Sequence, residues 1–171
     1  MARNRNKNRI FRFNRRIRGQ TNYTQRLKLL RSNLTRVVVR RSNKNVLIQF
    51  TNFEDAGDRV ISSSKSMELV KLGFTLNTGN LVSAYLTGLL AGKKAIKAGL
   101  KTDCIVDLGL QKSLYGNRVY AAIKGVVDSG VKVRVADVVF PSQERLDGTH
   151  LSVKDAAKNI EKVKKAIEAM K

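Results

Sequence analysis

Over residues 36–50, RVVVRRSNKNVLIQF, two β-branched runs flank the polar stretch Ser42, Asn43, Lys44 and Asn45, a pattern that predicts a β-hairpin. Val46, Ile48 and Phe50 alternate with Leu47, Gln49 and Thr51, so one face of the second strand is apolar and the other only partly so. A third strand is expected near 59–63, after a turn at Gly57 and Asp58. From 80 to 98 the spacing lengthens: Leu81, Val82, Tyr85, Leu86, Leu89 and Leu90 recur at three and four, which makes an amphipathic helix. Ala84, Gly88, Gly92 and Ala95 form a second stripe of small residues on it, suited to close approach onto the sheet or another helix. DCIVDLGL, 103–110, reads as a short buried strand ending in a turn, and 117–129 as a helix that buries Val119, Ala122, Ile123, Val126 and Val127 and stops at Gly130.

Two further helices are expected. One covers 23–32, with Leu27 and Leu30 inward. The other closes the chain: Ser152 as N-cap with Asp155 three residues on makes a capping box, followed by the stripe Ala156, Ile160, Val163, Ile167 and Met170. The order, three strands then helix, strand, helix and a closing helix, predicts an α/β fold with a mixed β-sheet sandwiched with helices, and no internal repeat. Residues 1–20 lack either periodicity and read as a basic extended N-terminal tail, ordered by its partner, ahead of a domain at 21–171.

Charge sharpens that division. Fifteen of the 34 Lys and Arg lie between Met1 and Lys44, and the first acid is Glu54, so this quarter of the 171-residue chain carries +15 of the +21 formal charge. Such a block repels itself until a polyanion neutralises it, and a pI near 10.7 points to nucleic acid. There is no signal-peptide apolar region and no run near the roughly 20 apolar residues of a membrane span, so a soluble, intracellular protein is expected. An organelle transit peptide is the rival reading of the N-terminus, but those are Ser-rich, whereas here Asn is abundant and the first Ser is Ser32. The single cysteine, Cys104, offers no internal disulfide and suits a reducing compartment, where it serves as a small buried hydrophobe.

Catalytic chemistry finds little support. GLLAGKK has three residues between Gly88 and Gly92 where a phosphate loop needs four, and Lys94 stands where Ser or Thr would bind magnesium. His150 is the only histidine, so neither a His-based metal cluster nor a Ser-His-Asp set can be assembled. Asp103, Asp107 and Asp128 could hold the magnesium ions of a nuclease. The simpler expectation is that Asp103 and Asp107 serve turns and Asp128 pairs with Lys124 one turn back.

The binding pattern is better defined. Arg3, Arg5, Lys7 and Arg9 alternate with Asn and other residues, and then Phe11, Arg12, Phe13, Asn14, Arg15, Arg16 and Arg18 lead to Tyr23, Arg26 and Arg31. Guanidinium groups take phosphates bidentately, Asn adds donors and acceptors, and Phe or Tyr offers a face to an unpaired base, a combination suited to folded RNA. A non-specific DNA binder of chromatin type is the alternative that charge alone leaves open.

Several blocks carry a resemblance. TNYTQRLKLLRSNLTRVVVRRSNKNVLIQF, LGFTLNTGNLVSAYLTGLLAGKKAIKAG, IVDLGLQKSLYGNRVYAAIKGVVDSG and FPSQERLDGTHL, in this order from about Gln20 to Leu151, resemble the signature blocks of the large-subunit ribosomal protein eighteen family, in its archaeal form. The resemblance implies a structural, non-catalytic role in the cytoplasmic ribosome. The implied partners are 5S rRNA in the central protuberance, large-subunit rRNA and neighbouring ribosomal proteins, with no cofactor, membrane or small-molecule substrate. It sets Tyr23, Arg26, Arg36, Arg40, Arg41, Ser42, Asn43, Lys44 and Gln49 against RNA, with Thr78, Gly79 and Asn80, and it matches Ser142, Arg145, Gly148 and His150 to family positions. The chain departs from many relatives in ending on a Lys-rich helix.

Overall fold

The computed structural model describes residues 12–100, 103–151 and 156–170. Helix α1 (Asn14–Ile17) is one turn without a buried residue, and α2 (Tyr23–Leu30) follows, its Asn22 cap accepting a hydrogen bond from Gln25 N–H at 3.2 Å. The predicted hairpin is β1 (Thr35–Arg41) and β2 (Val46–Glu54), antiparallel with Val37 opposite Phe50 and Val39 opposite Ile48. Ser42 closes its turn, donating N–H to Asn45 O at 2.7 Å and accepting Asn45 N–H on Oγ at 3.0 Å. β3 (Gly57–Lys65) adds to the outer side of β2. The strand starts earlier than expected, because Asp55 and Ala56 make the turn and leave Gly57, at φ +145°, and Asp58 in the ladder opposite Glu54 and Phe53.

After α3 (Glu68–Lys71), α4 (Leu81–Lys97) begins at Asn80, whose Oδ1 accepts from Ser83 N–H at 2.7 Å. β4 (Cys104–Asp107) then joins β1 in parallel, giving the mixed sheet order β3-β2-β1-β4. α5 (Arg118–Asp128) is capped by Asn117 and halted by Gly130 at φ +101°. α6 (Gln143–Asp147) and α7 (Ala156–Glu168) complete the described chain. The capping box at Ser152 and Asp155 falls outside the described residues.

The pleat assigns the two sheet faces. Val37, Val39, Ile48 and Phe50 are fully buried on the face that meets the helical layer, where each such side chain contributes about 1.5–3 kcal/mol. A register slip of one residue would expose all four. The small-residue stripe of α4 meets another helix rather than the sheet: α5 crosses so closely that Gly88 abuts Ala122 and Gly125, and Gly92 abuts Ser129. α7 lays Ile160, Val163 and Ile167 against the core and sets Lys164 Nζ 5.8 Å from the Tyr85 ring centroid. The Lys-rich terminal helix therefore docks on α4.

Three apolar expectations are corrected: Leu27 and Met170 lie outward, 52% and 41% exposed, and Val127 is only half-buried. In the short α2, which buries no residue fully, Leu29 and Leu30 are the half-buried leucines, and Met170 lies past the last full turn of α7.

Candidate nucleic-acid interface

The face of the sheet opposite the core carries Arg36, Val38 and Arg40 from β1 and Leu47, Gln49 and Thr51 from β2. Asp107 joins them opposite Val38, and Asp58 opposite Phe53. Here the expected RNA contacts divide. Arg36 is 1% exposed, its Nη2 2.6 Å from Asp58 Oδ1 and its Nη1 3.6 Å from Asp107 Oδ2. A guanidinium so enclosed cannot meet a phosphate, which corrects the expectation for Arg36. Burying that charge is tolerable only because two carboxylates face it.

Arg40 donates to Asp107 O at 2.7 Å, Asp107 Oδ1 at 3.0 Å and Val39 O at 2.9 Å. Arg26 reaches both oxygens of Asp58 at 2.9 Å, which ties α2 to the sheet. The charges of these three arginines are largely met within the protein.

Asp58 is the hub of this network. Burial by itself would raise its carboxyl, but hydrogen bonds and charges from Arg36 and Arg26 outweigh that and hold it below the ordinary 3.8. Between the lowered native value and the ordinary one, the unfolded chain binds more protons than the native one. The stability this carboxylate supplies is therefore complete above about pH 4 and drains away as pH falls through the native value. Asp58→Asn is expected to be less stable than the parent at pH 6, with the gap narrowing as pH falls below about 4, in urea melts followed by circular dichroism. Curves that stay parallel down to pH 2 would remove Asp58 from this role.

Among the described residues Arg12, Arg16, Arg18, Arg31, Arg41 and Lys44 are exposed and form no ion pair, and the exposed Arg15 donates only to Thr21 Oγ1 at 2.9 Å. The exposed ring of Phe13 lies 4.9 Å, centroid to centroid, from that of the half-buried Tyr23, so α1 packs onto the start of α2. Arg3, Arg5, Lys7, Arg9 and Phe11 lie outside the described residues.

Residues distant in sequence converge at the β1–β2 turn. Thr78 Oγ1 donates to Lys44 O at 2.8 Å, and a Cβ on Gly79 would stand 2.5 Å from Asn43 O. Only glycine lets the 78–80 turn lie this close, with Ser42, Asn43 and Lys44 exposed beside it and Arg118 donating to Gly79 O. Gly79 is itself buried and acts through this approach rather than as a surface group. Gly148, at φ +73°, packs beside Val82 in the first turn of α4, which brings the 142–150 segment to the same helix end, with Ser142, Arg145 and His150 exposed. Gln49 is half-buried on the open sheet face.

The nuclease alternative does not assemble. Asp107 faces Arg36 and Arg40; Asp128 faces Lys124 at 3.1 Å and accepts from Tyr85 Oη at 3.0 Å; Asp103 lies at the far end of β4, 3.9 Å from Arg134. Among the described residues no three acidic, His or Cys side chains gather as a metal site. Burial, with Asp103 beside it, pushes the Cys104 thiol up to about 11, consistent with its reading as a small hydrophobe.

Sequence reasoning missed Asp58 as an organiser and Gln25 and Gln111 as groove residues. Nothing local marks them, since their neighbours come from separate elements: a groove of about 750 Å³ lies between α2 and the loop after β4. Gly109 shapes that loop. It sits at φ +63° where a Cβ would be 2.9 Å from Arg40 Cζ, and its N–H donates to Asp107 Oδ1 at 2.8 Å.

A family described as ribosomal large subunit proteins 60S L5 and 50S L18 matches residues 7–103. The large ribosomal subunit protein uL18 of Methanoregula boonei is 42% identical over 161 residues, 91% of this chain and 92% of that protein. The uL18 protein of Methanococcoides burtonii is 46% identical over 156 residues, 91% and 90% of the two chains, and that of Korarchaeum cryptofilum 45% over 140 residues, 82% and 71%.

Proposed function

The chain belongs to the family of ribosomal large subunit proteins 60S L5 and 50S L18, and on that premise we propose that it binds 5S rRNA and helps attach it to the large-subunit rRNA in the central protuberance. It is a structural ribosomal protein, found in the cytoplasmic ribosome with rRNA and other ribosomal proteins as partners. The observation that carries the finer reading is the split among its cations. Arg26, Arg36 and Arg40 are engaged with Asp58 and Asp107, while the exposed Arg12, Arg16, Arg18, Arg31, Arg41 and Lys44 pair with no acid among the described residues. Unpaired guanidinium groups on an acid-free segment supply phosphate neutralisation, and the rigid 42–45 and 78–80 turns supply a fixed shape against which one RNA fold is told from another.

In this reading residues 1–20 form a basic arm that gives strength, and the domain from residue 21 gives choice. Arg145 and His150 lie on the RNA side of the α4 start, and neighbouring ribosomal proteins cover other surfaces. A competition assay on the full chain tests it: at 150 mM salt 5S rRNA should displace labelled 5S rRNA on the order of a hundredfold more effectively than duplex DNA of equal length. Equal competition by the duplex would leave only a non-specific polyanion binder.

A further inference from the structure

The groove between α2 and the loop after β4 differs in chemistry from the free cationic surface around it. Arg26 and Arg40 border it, but their donors already meet Asp58 and Asp107, so a phosphate entering the floor would have to displace two carboxylates and lie beside their charge. The lining also offers apolar side chains, Leu29 and Leu108, and the amides Gln25 and Gln111. Gln111 Oε1 is buried and meets no hydrogen-bond donor among the described residues. An acceptor left in that condition costs about 1–3 kcal/mol, which an N–H from a bound group would recover.

A nucleobase fits these demands. It has two apolar faces for the leucines and a polar edge carrying N–H groups, and a side-chain amide can both accept from and donate to such an edge. The volume of about 750 Å³ is ample for one nucleotide, and Arg15, exposed, in the lining and in no ion pair among the described residues, is available to its phosphate.

We propose that this groove receives one unstacked RNA nucleotide, base inward against Gln111 and Gln25 and phosphate outward toward Arg15. The proposal deepens the RNA-binding reading and rests on it for the source of the nucleotide. Base insertion would explain how a surface dominated by phosphate contacts also reads sequence, since base edges become legible to a protein when they leave the stack.

The test has two arms on the full chain. In the first, ¹⁵N side-chain amide resonances are followed while AMP, CMP, GMP or UMP is added, with Gln111 assigned by its absence in Gln111→Leu. At least one mononucleotide should shift Gln111 saturably, inorganic phosphate should not, and Gln25→Ala should weaken that mononucleotide about tenfold, as for one lost hydrogen bond. In the second, base-specific chemical probing of saturated 5S rRNA complexes should show a base protected by the parent and reactive with Gln111→Leu. A Gln111 signal unmoved by all four mononucleotides, or moved equally by inorganic phosphate, overturns the groove, as do base protections identical in parent and variant. If a mononucleotide binds while 5S rRNA does not, the groove stands and the 5S reading falls; bound 5S rRNA with no mononucleotide effect and unaltered protections gives the reverse.

Discussion

Gly125→Ala and Gly88→Ala are each expected to lower the melting temperature by on the order of 10 °C or leave the chain insoluble, although Ala is the better helix former by about 1 kcal/mol. A Cβ on Gly125 would stand 2.1 Å from Tyr85 O and 2.8 Å from Leu89 N, and one on Gly88 would stand 2.0 Å from Ala122 O. The obstacle in both cases is main chain, so no rotamer change relieves it and the helices must separate by about 1 Å or more. Separation is resisted on both sides, because Leu86, Leu89 and Leu90 of α4 and Ile123 and Val126 of α5 are all at most 2% exposed and would lose contact together. A cost above about 3 kcal/mol therefore outweighs the propensity gain. Gly92→Ala meets the Ser129 side chain instead, with Oγ 1.8 Å and Cβ 2.7 Å from the added methyl. Ser129→Gly in the same chain should recover most of what Gly92→Ala loses, whereas no second-site truncation can rescue the other two. Thermal unfolding followed by circular dichroism decides it: a melting temperature unchanged or raised in Gly125→Ala would refute the close crossing.

These glycines show how far the sequence could be read. The three-and-four spacing predicted α4 and its small-residue stripe, and the period-two alternation predicted the hairpin and its core face, because both patterns are local consequences of backbone geometry. Whether the stripe met sheet or helix depended on where α5 returned, which no local pattern states. Arg36 shows the same boundary. Its parity with Val38 and Arg40 sets it opposite the core, and the family resemblance counted it with the RNA contacts. Its burial follows from strand order: β3 brings Asp58 and β4 brings Asp107 to the same face, one on each side of it. The groove was hidden for a similar reason, since Gln25 and Gln111 become neighbours only when α2 folds over the sheet beside the loop after β4. The unpaired state of the exposed N-terminal cations was legible because it requires only the absence of acids nearby in sequence, a property the first 53 residues display directly.

Removal of residues 1–12 is expected to weaken 5S rRNA binding on the order of a thousandfold at 150 mM salt while leaving its advantage over duplex DNA within about threefold of the parent. The segment holds five cations, Arg3, Arg5, Lys7, Arg9 and Arg12, and no acid. Each phosphate neutralised contributes about 0.7–0.9 to the slope of log affinity against log salt, so five contacts steepen it by about 4, which at 150 mM salt amounts to about three decades. The cut falls before Phe13 because the ring of Phe13 packs at 4.9 Å from Tyr23 and Arg15 binds Thr21, contacts that belong to the rim of the groove and must survive for the domain to be tested intact. What remains keeps Arg16, Arg18, Arg31, Arg41 and Lys44 exposed and the 42–45 and 78–80 turns joined through Thr78 and Lys44, so the elements assigned to shape recognition are untouched. Affinity measured from 50 to 300 mM salt on parent and shortened chain separates strength from choice. A slope that stays as steep would show that the arm does not neutralise phosphate, and a lost preference for 5S rRNA would move discrimination from the rigid turns into the arm itself.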